Sequence, residues 1–165
     1  LSAVHYNAAG MTLLPGTQVQ AGGVYVELDL AYKGKSGVTE NGRGKGQFIP
    51  AGYITHQFND KLWFGLGMTV PYGMGTNYSR SWEGGNRGVK TTLMTVDINP
   101  SLAYKVNDAV SVGLGVSAQY TKATFGANAG TGAKVTGQLT ADTWSMGFNL
   151  GVMLQPTETL RLGLS

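Results

Sequence analysis

Residues 93–120 read LMTVDINPSLAYKVNDAVSVGLGVSAQY. The even-numbered positions carry Met94, Val96, Ile98, Pro100, Leu102, Tyr104 and Val106, then Val110, Val112, Leu114, Val116, Ala118 and Tyr120. The odd-numbered ones carry Thr95, Asp97, Asn99, Ser101, Ala103 and Lys105, then Ser111, Gly113, Gly115, Ser117 and Gln119. A period of two over this length predicts extended strand, because successive side chains leave opposite faces. Asn107-Asp108 supplies a tight turn in the middle. The stretch is therefore a long β-hairpin with one apolar face and one small or polar face. In a soluble sandwich or barrel the apolar face would point inward. In an outer-membrane barrel it would meet lipid, and the polar face would line the lumen.

The rest of the chain decides between these. Residues 1–17 show no period of two and read as irregular structure with a short helical turn. Strands are expected at 18–32, 47–58, 62–75 and 144–154, with a seventh opening at Leu160, Leu162 and Leu164. Gly-rich polar loops fall at 33–46, 76–91 and 126–142, and short turns at 59–61, 107–109 and 155–159. Long and short connections thus alternate strictly, which is the habit of outer-membrane barrels and has no counterpart in a soluble meander. The strands also exceed the roughly 9–11 residues needed to cross a bilayer at a tilt. The predicted class is all-β, an antiparallel up-and-down transmembrane β-barrel.

Composition agrees. The chain has 26 Gly in 165 residues and only 13% charged residues, which disfavours an ordinary cytosolic enzyme. The 42% apolar content falls in alternation, which disfavours disorder. No run approaches the ~20 apolar residues of a spanning helix. A net charge of +3, without a basic block, makes nucleic acid a poor partner. With no Cys there is no disulfide and no thiolate chemistry. His5 and His56 stand far apart with no relay spacing, and GRGKG and GGNRGVKT lack the spacing of a phosphate loop. No catalytic residue, metal site or cofactor is expected. Gly65, Gly67, Gly113 and Gly115 read as lumen-side glycines that make room. Glu27, Asp29, Asp97 and Lys105 read as a hydrated inner wall. Trp63, Tyr104 and Phe58 near the turns, and Tyr32, Tyr120 and Trp144 near the loops, suit interfacial girdles.

Parity also fixes register, since residues paired across a ladder share a face. Val106 and Val110 pair around a three-residue turn, and Phe58 pairs with Leu62 by the same rule. Carried up that second hairpin, Pro50 lies opposite Val70 and Ile49 opposite Pro71. Proline gives no ladder N–H and is normally confined to edges, strand starts or bulges. Two prolines at one height, with Gly73 and Gly75 following, should open or bend the wall between strands two and three. This is either a lateral window or a bulge where the strand leaves the membrane.

The segments YNAAGMTLLPGTQ, GYITHQFNDKLWFGLGMTVPYGMGTNY and INPSLAYKVNDAVSVGLGVSAQY together resemble the FadL/TodX family of outer-membrane transporters for hydrophobic compounds. The resemblance runs through essentially all 165 residues. It implies a 14-stranded, monomeric barrel in the bacterial outer membrane, of which this chain holds about seven strands (residues 18–165), the rest lying outside it. It implies an N-terminal hatch, here residues 1–17, blocking the lumen. Hydrophobic substrates such as long-chain fatty acids would then diffuse passively into a lumen pocket and leave sideways at a kinked third strand. That kink corresponds to Val70, Pro71, Tyr72 and Gly73, beside Pro50. The family's hatch motif Asn-Pro-Ala stands here as Asn7, Ala8 and Ala9, which frees the φ angle a proline would fix. Family members hold a substrate carboxylate with basic lumen residues, and the candidate is Lys122, taken as lumen-facing. Outer-membrane lipid or lipopolysaccharide would surround the barrel. The alternatives are a soluble lipocalin-like barrel holding an apolar ligand, and a small structural outer-membrane barrel that transports nothing.

Overall fold

Ten strands follow a short N-terminal helical segment in the computed structural model, which describes residues 1–41, 44–128, 136–157 and 159–165, Thr136 as backbone only. The segment comprises α1 (Ala3–Tyr6) and a 3-10 turn (Ala8–Leu13). Then come β1 (Thr17–Val26), a small hairpin of β2 (Tyr32–Lys33) with β3 (Thr39–Glu40), β4 (Gln47–Gln57), β5 (Leu62–Thr69) and β6 (Gly73–Asn77). The long strands β7 (Lys90–Lys105), β8 (Val110–Asn128) and β9 (Thr136–Leu154) precede β10 (Leu162–Leu164). The main sheet runs β1-β4-β5-β7-β8-β9-β10 and is antiparallel throughout, with β6 taking over from β5 beside β7. Seven wall positions curl into half a barrel.

The wall is apolar outside and polar inside. Phe148 is 78% exposed and Leu150 63%, whereas Asp97 is 3% and Asn99 1% exposed. Val112, Leu114 and Val116 are likewise exposed, while Thr55, Thr95, Ser101 and Ser111 are buried. A soluble barrel would reverse this. The buried apolar cluster is small, Val4, Ala8, Met11, Trp63 and Ala103, and sits where the N-terminal segment meets the inner wall. Hydrocarbon instead of a core takes up the apolar side chains, which is why they recur at every second residue.

Two of the short turns use one device. The Asn107 side-chain oxygen accepts from the Ala109 and Val110 amides at 2.9 and 2.8 Å, and that of Asn59 from Lys61 and Leu62 at 2.9 and 3.0 Å. Asn closes such turns because its side chain mimics a backbone carbonyl. The registers are those parity demands: Lys105 pairs Ser111, and Gln57 pairs Trp63.

Three boundaries differ from expectation. The first strand ends at Val26, not residue 32, so Glu27 and Asp29 lie beyond it and off the wall. Residues 136–142, read as loop, belong to β9, which pairs β8 from Val110↔Leu154 to Asn128↔Thr136. Their Thr, Gly and Ala content hides a strand held by ladder bonds alone; the centre of that loop, 129–135, lies outside the described residues. Trp63 is not a girdle residue. It is buried, and its indole N–H donates to the Leu14 carbonyl at 2.8 Å. Its odd number places it inside, where the N-terminal segment covers it.

Candidate functional site

Two features of the wall stand out, a gap in one seam and the N-terminal segment seated against the inner face. β4 and β5 pair from Gln57↔Trp63 to Gly52↔Met68, and there the ladder stops. Neither Pro50–Val70 nor Ile49–Pro71 forms a pair, although the register would place them opposite each other. Above Gly52, β4 bonds only to β1, as in Pro50↔Gly23 and Gln47↔Val26. The third wall position resumes as β6, which pairs β7 alone. The seam closes again higher up, at the Gly44–Thr76 bridge and the Lys45 N–H to Gly75 carbonyl bond of 3.1 Å.

Between these two closures lies a cleft of about 590 Å³. Phe48, Pro50, Met68, Val70, Met94 and Val96 line it, all of outward parity, with Gln47, Ile49 and Gly73 behind them. The kink stays fastened on its other side. The Tyr72 N–H donates to the Thr95 hydroxyl at 2.8 Å, and the Thr95 N–H to the Tyr72 carbonyl at 2.9 Å. Within a bilayer every orphaned backbone group is costly. Proline lowers that cost at Pro50 and Pro71, since neither has an N–H to orphan.

Inside the wall, the N-terminal segment seats on glycines. A Cβ at Gly113 would fall on the Ala8–Ala9 backbone, one at Gly65 on the Met11 sulfur, and one at Gly151 on the Asn7 amide oxygen. Asn7 is the joint of the segment. Its oxygen caps the 3-10 turn by accepting from the Ala9 N–H at 3.1 Å. Its Nδ2 donates to the Val152 and Leu164 carbonyls, both at 3.2 Å, reaching β9 and β10 at once. Ala8 and Ala9 are buried, so a turn without proline is held by packing and by Asn7. Farther along, Ser101 donates to the Val4 carbonyl at 3.1 Å, Asn149 to the His5 carbonyl at 2.9 Å, and Thr12 bonds Ser111 at 2.9 Å. His5 Nδ1 stands 3.8 Å from the Asp97 carboxylate, which also accepts from the Ser117 hydroxyl. Sequence reasoning missed this pair, because nothing local to either residue marks it.

Lys122 is a correction. It pairs with Met94 on one side and Asp142 on the other, so it shares the outward face of Tyr120 and Val116. Its even number, like theirs, already places it there, opposite the lumen. At the loop end of the same face, Tyr120 and Trp144 contact each other with ring centroids 5.2 Å apart.

Comparison with known proteins joins this wall to a family. The model of the family described as outer membrane protein transport protein (OMPP1/FadL/TodX) matches residues 1–165. The chain belongs to that family. Outer membrane protein P1 of Haemophilus influenzae is 33% identical over 99% of this chain and 47% of its own length. The long-chain fatty acid transport protein of Escherichia coli is 28% identical over 98% of this chain and 43% of its own. The crystal structure of a Pseudomonas aeruginosa FadL homologue superposes with a TM-score of 0.73 at 24% identity, over 98% of this chain and 46% of that one. The chain thus spans about half the length of these OMPP1/FadL/TodX relatives. It is part of a bacterial outer-membrane β-barrel of a transport family, and its apolar exterior is the lipid-facing surface of that barrel.

Proposed function

We propose that this chain forms half of a monomeric outer-membrane channel that passes hydrophobic small molecules, such as long-chain fatty acids, by diffusion and without catalysis. Residues 1–17 are its hatch and residues 18–165 its barrel wall. Substrate leaves the lumen sideways between β4 and β6, through the opening at Pro50, Val70, Pro71, Tyr72 and Gly73, into the surrounding lipid and lipopolysaccharide. The observation that carries this reading is an apolar cleft bounded above and below by intact pairing. A sideways exit suits such cargo, because apolar surface gains roughly 25 cal/mol per Å² on leaving water and a lipid exit never exposes it again. Lys122, on the outward face, is given no part in holding a carboxylate.

The test is uptake of a labelled fatty acid by cells carrying the full-length protein with Pro50→Thr, whose N–H would face Val70 across the seam. Restoring ladder donors at about 1 kcal/mol each biases the seam toward closure by roughly fivefold per bond, so uptake slows. Unchanged uptake by a folded variant would remove the lateral exit.

A further inference from the structure

Where α1 meets the inner wall, two buried polar atoms face each other unsatisfied. His5 Nδ1 and Asp97 Oδ1 lie 3.8 Å apart, and neither has a hydrogen-bond partner among the described residues. Asp97 is 3% exposed and takes one hydroxyl, from Ser117, on its other oxygen. A buried carboxylate with so few donors is poorly compensated. The cluster is no nucleophilic relay, because the serine donates to the carboxylate and not to the imidazole. The geometry points to His5 and Asp97 as the positioning pair of the N-terminal segment, a latch that tightens when His5 takes a proton.

Histidine is the side chain whose charge changes between about pH 5 and 8. Protonated His5 presents a charge-assisted donor to an otherwise empty carboxylate oxygen 3.8 Å away. The contacts around it come from tyrosine, serine and asparagine side chains. From its own segment comes the Tyr6 ring, 5.1 Å away edge-on, with Tyr53 of β4 next to Tyr6; from β8 comes Ser117, and from β9 Asn149, which holds the His5 carbonyl. The charge-assisted bond exists only while His5 carries the proton. The segment is therefore held harder in acid and released more readily in alkali. The pair lies 92 residues apart in sequence, so the latch ties the segment to β7, independently of the Asn7 bonds to β9 and β10.

The experiment is hydrogen exchange of the amides of residues 3–14 in the full-length protein, followed by mass spectrometry at pH 5.5 and 7.5. Each wild-type rate is divided by the rate of Asp97→Asn at the same pH, which cancels the intrinsic pH dependence of exchange. The wild type should exchange about tenfold more slowly than Asp97→Asn at pH 5.5, the worth of one charge-assisted bond, and the ratio should shrink toward one at pH 7.5. His5→Gln should abolish that pH dependence, which a merely structural role would leave intact. Should Asp97→Asn not fold, the ratio of wild type to His5→Gln carries the same expectation. A ratio identical at both pH values, or a His5→Gln protein that keeps the wild-type response, overturns the latch. Fatty-acid uptake in the same variants separates this from the channel reading: a pH-dependent ratio with uptake indifferent to pH supports the latch and contradicts control of transport by the hatch.

Discussion

The β8–β9 seam and the β4–third-strand seam belong to one wall, and they behave oppositely. The first is paired without interruption from Val110↔Leu154 to Asn128↔Thr136. The second stops after Gly52↔Met68 and reopens only at the Gly44–Thr76 bridge. Between them stands an instructive intermediate. The β7–β8 ladder skips Asn99 and Pro100, passing from Ile98↔Ala118 directly to Ser101↔Gly115, and then continues in the same register. One proline in a lipid-facing wall costs a local interruption that its neighbours repair. Prolines on adjoining strands at one height leave a cleft: Pro50 lacks the N–H that would bond Val70 across the seam, and Pro71 lacks the one that would face Thr95, so its strand slips one residue against β7.

That contrast can be broken at three points. The largest effect belongs to the paired prolines. Pro50→Thr restores the donor toward Val70 and Pro71→Thr the one toward β7, and the double variant should slow fatty-acid uptake more than either single one, by roughly tenfold or more if each bond contributes about 1 kcal/mol. Equal uptake by single and double variants would mean the prolines do not act together. A smaller effect is expected at Pro100→Thr. The skipped pair can form there, raising the urea midpoint by an amount corresponding to about 1 kcal/mol, with uptake unaltered. Slowed uptake would show that the β7–β8 interruption also conducts.

The smallest effect lies at the turn between β7 and β8. The Lys105 ammonium, 2.8 Å from Asp108, holds the Asp108 carboxyl below the usual carboxylate range through its hydrogen bond and then its charge. A depressed carboxylate contributes stability above its unfolded-state pKa and loses it as pH falls through the folded-state value. Asp108 is fully exposed, so only a slight acid-side loss is expected, and Lys105→Met should erase it in a pH series of urea midpoints. A strong pH dependence at this turn would contradict its exposure.

Much of this wall is legible in sequence because lipid enforces a rule at every second residue. Met94 to Tyr120 obey it, and the hairpin, both Asn turns and the register follow. The rule lapses beyond Tyr120 and Trp144, where neither face need be apolar. That is why Thr136 to Asp142 read as loop although they complete β9. Parity also assigns Lys122 and Trp63 correctly when it is applied strictly. Lys122 is outward and Trp63 inward, against what their residue types suggest. The proline pair was legible as a defect, since register alone brought Pro50 and Val70 to one height. The seating of the N-terminal segment was only half legible. Gly65 and Gly113 announce room for something, but nothing near Asn7 names Val152 and Leu164 as its acceptors, and nothing near His5 names Asp97. Such contacts join residues with no shared local pattern, so only the curl of the wall reveals them.

The central claim is that cargo crosses the wall between β4 and β6. Gln47 and Gly73 face each other across that cleft, where a Cβ on Gly73 would meet the Gln47 side chain. The chain has no cysteine of its own. A Gln47→Cys/Gly73→Cys pair in the full-length protein places a disulfide across the cleft, and Ser117→Cys/Gly147→Cys places one across the sound seam. The measurement is fatty-acid uptake before and after reduction. Uptake should stop in the oxidised Gln47–Gly73 variant, return on reduction, and proceed normally in the oxidised Ser117–Gly147 variant. Undiminished uptake with the cleft locked shut would contradict the account.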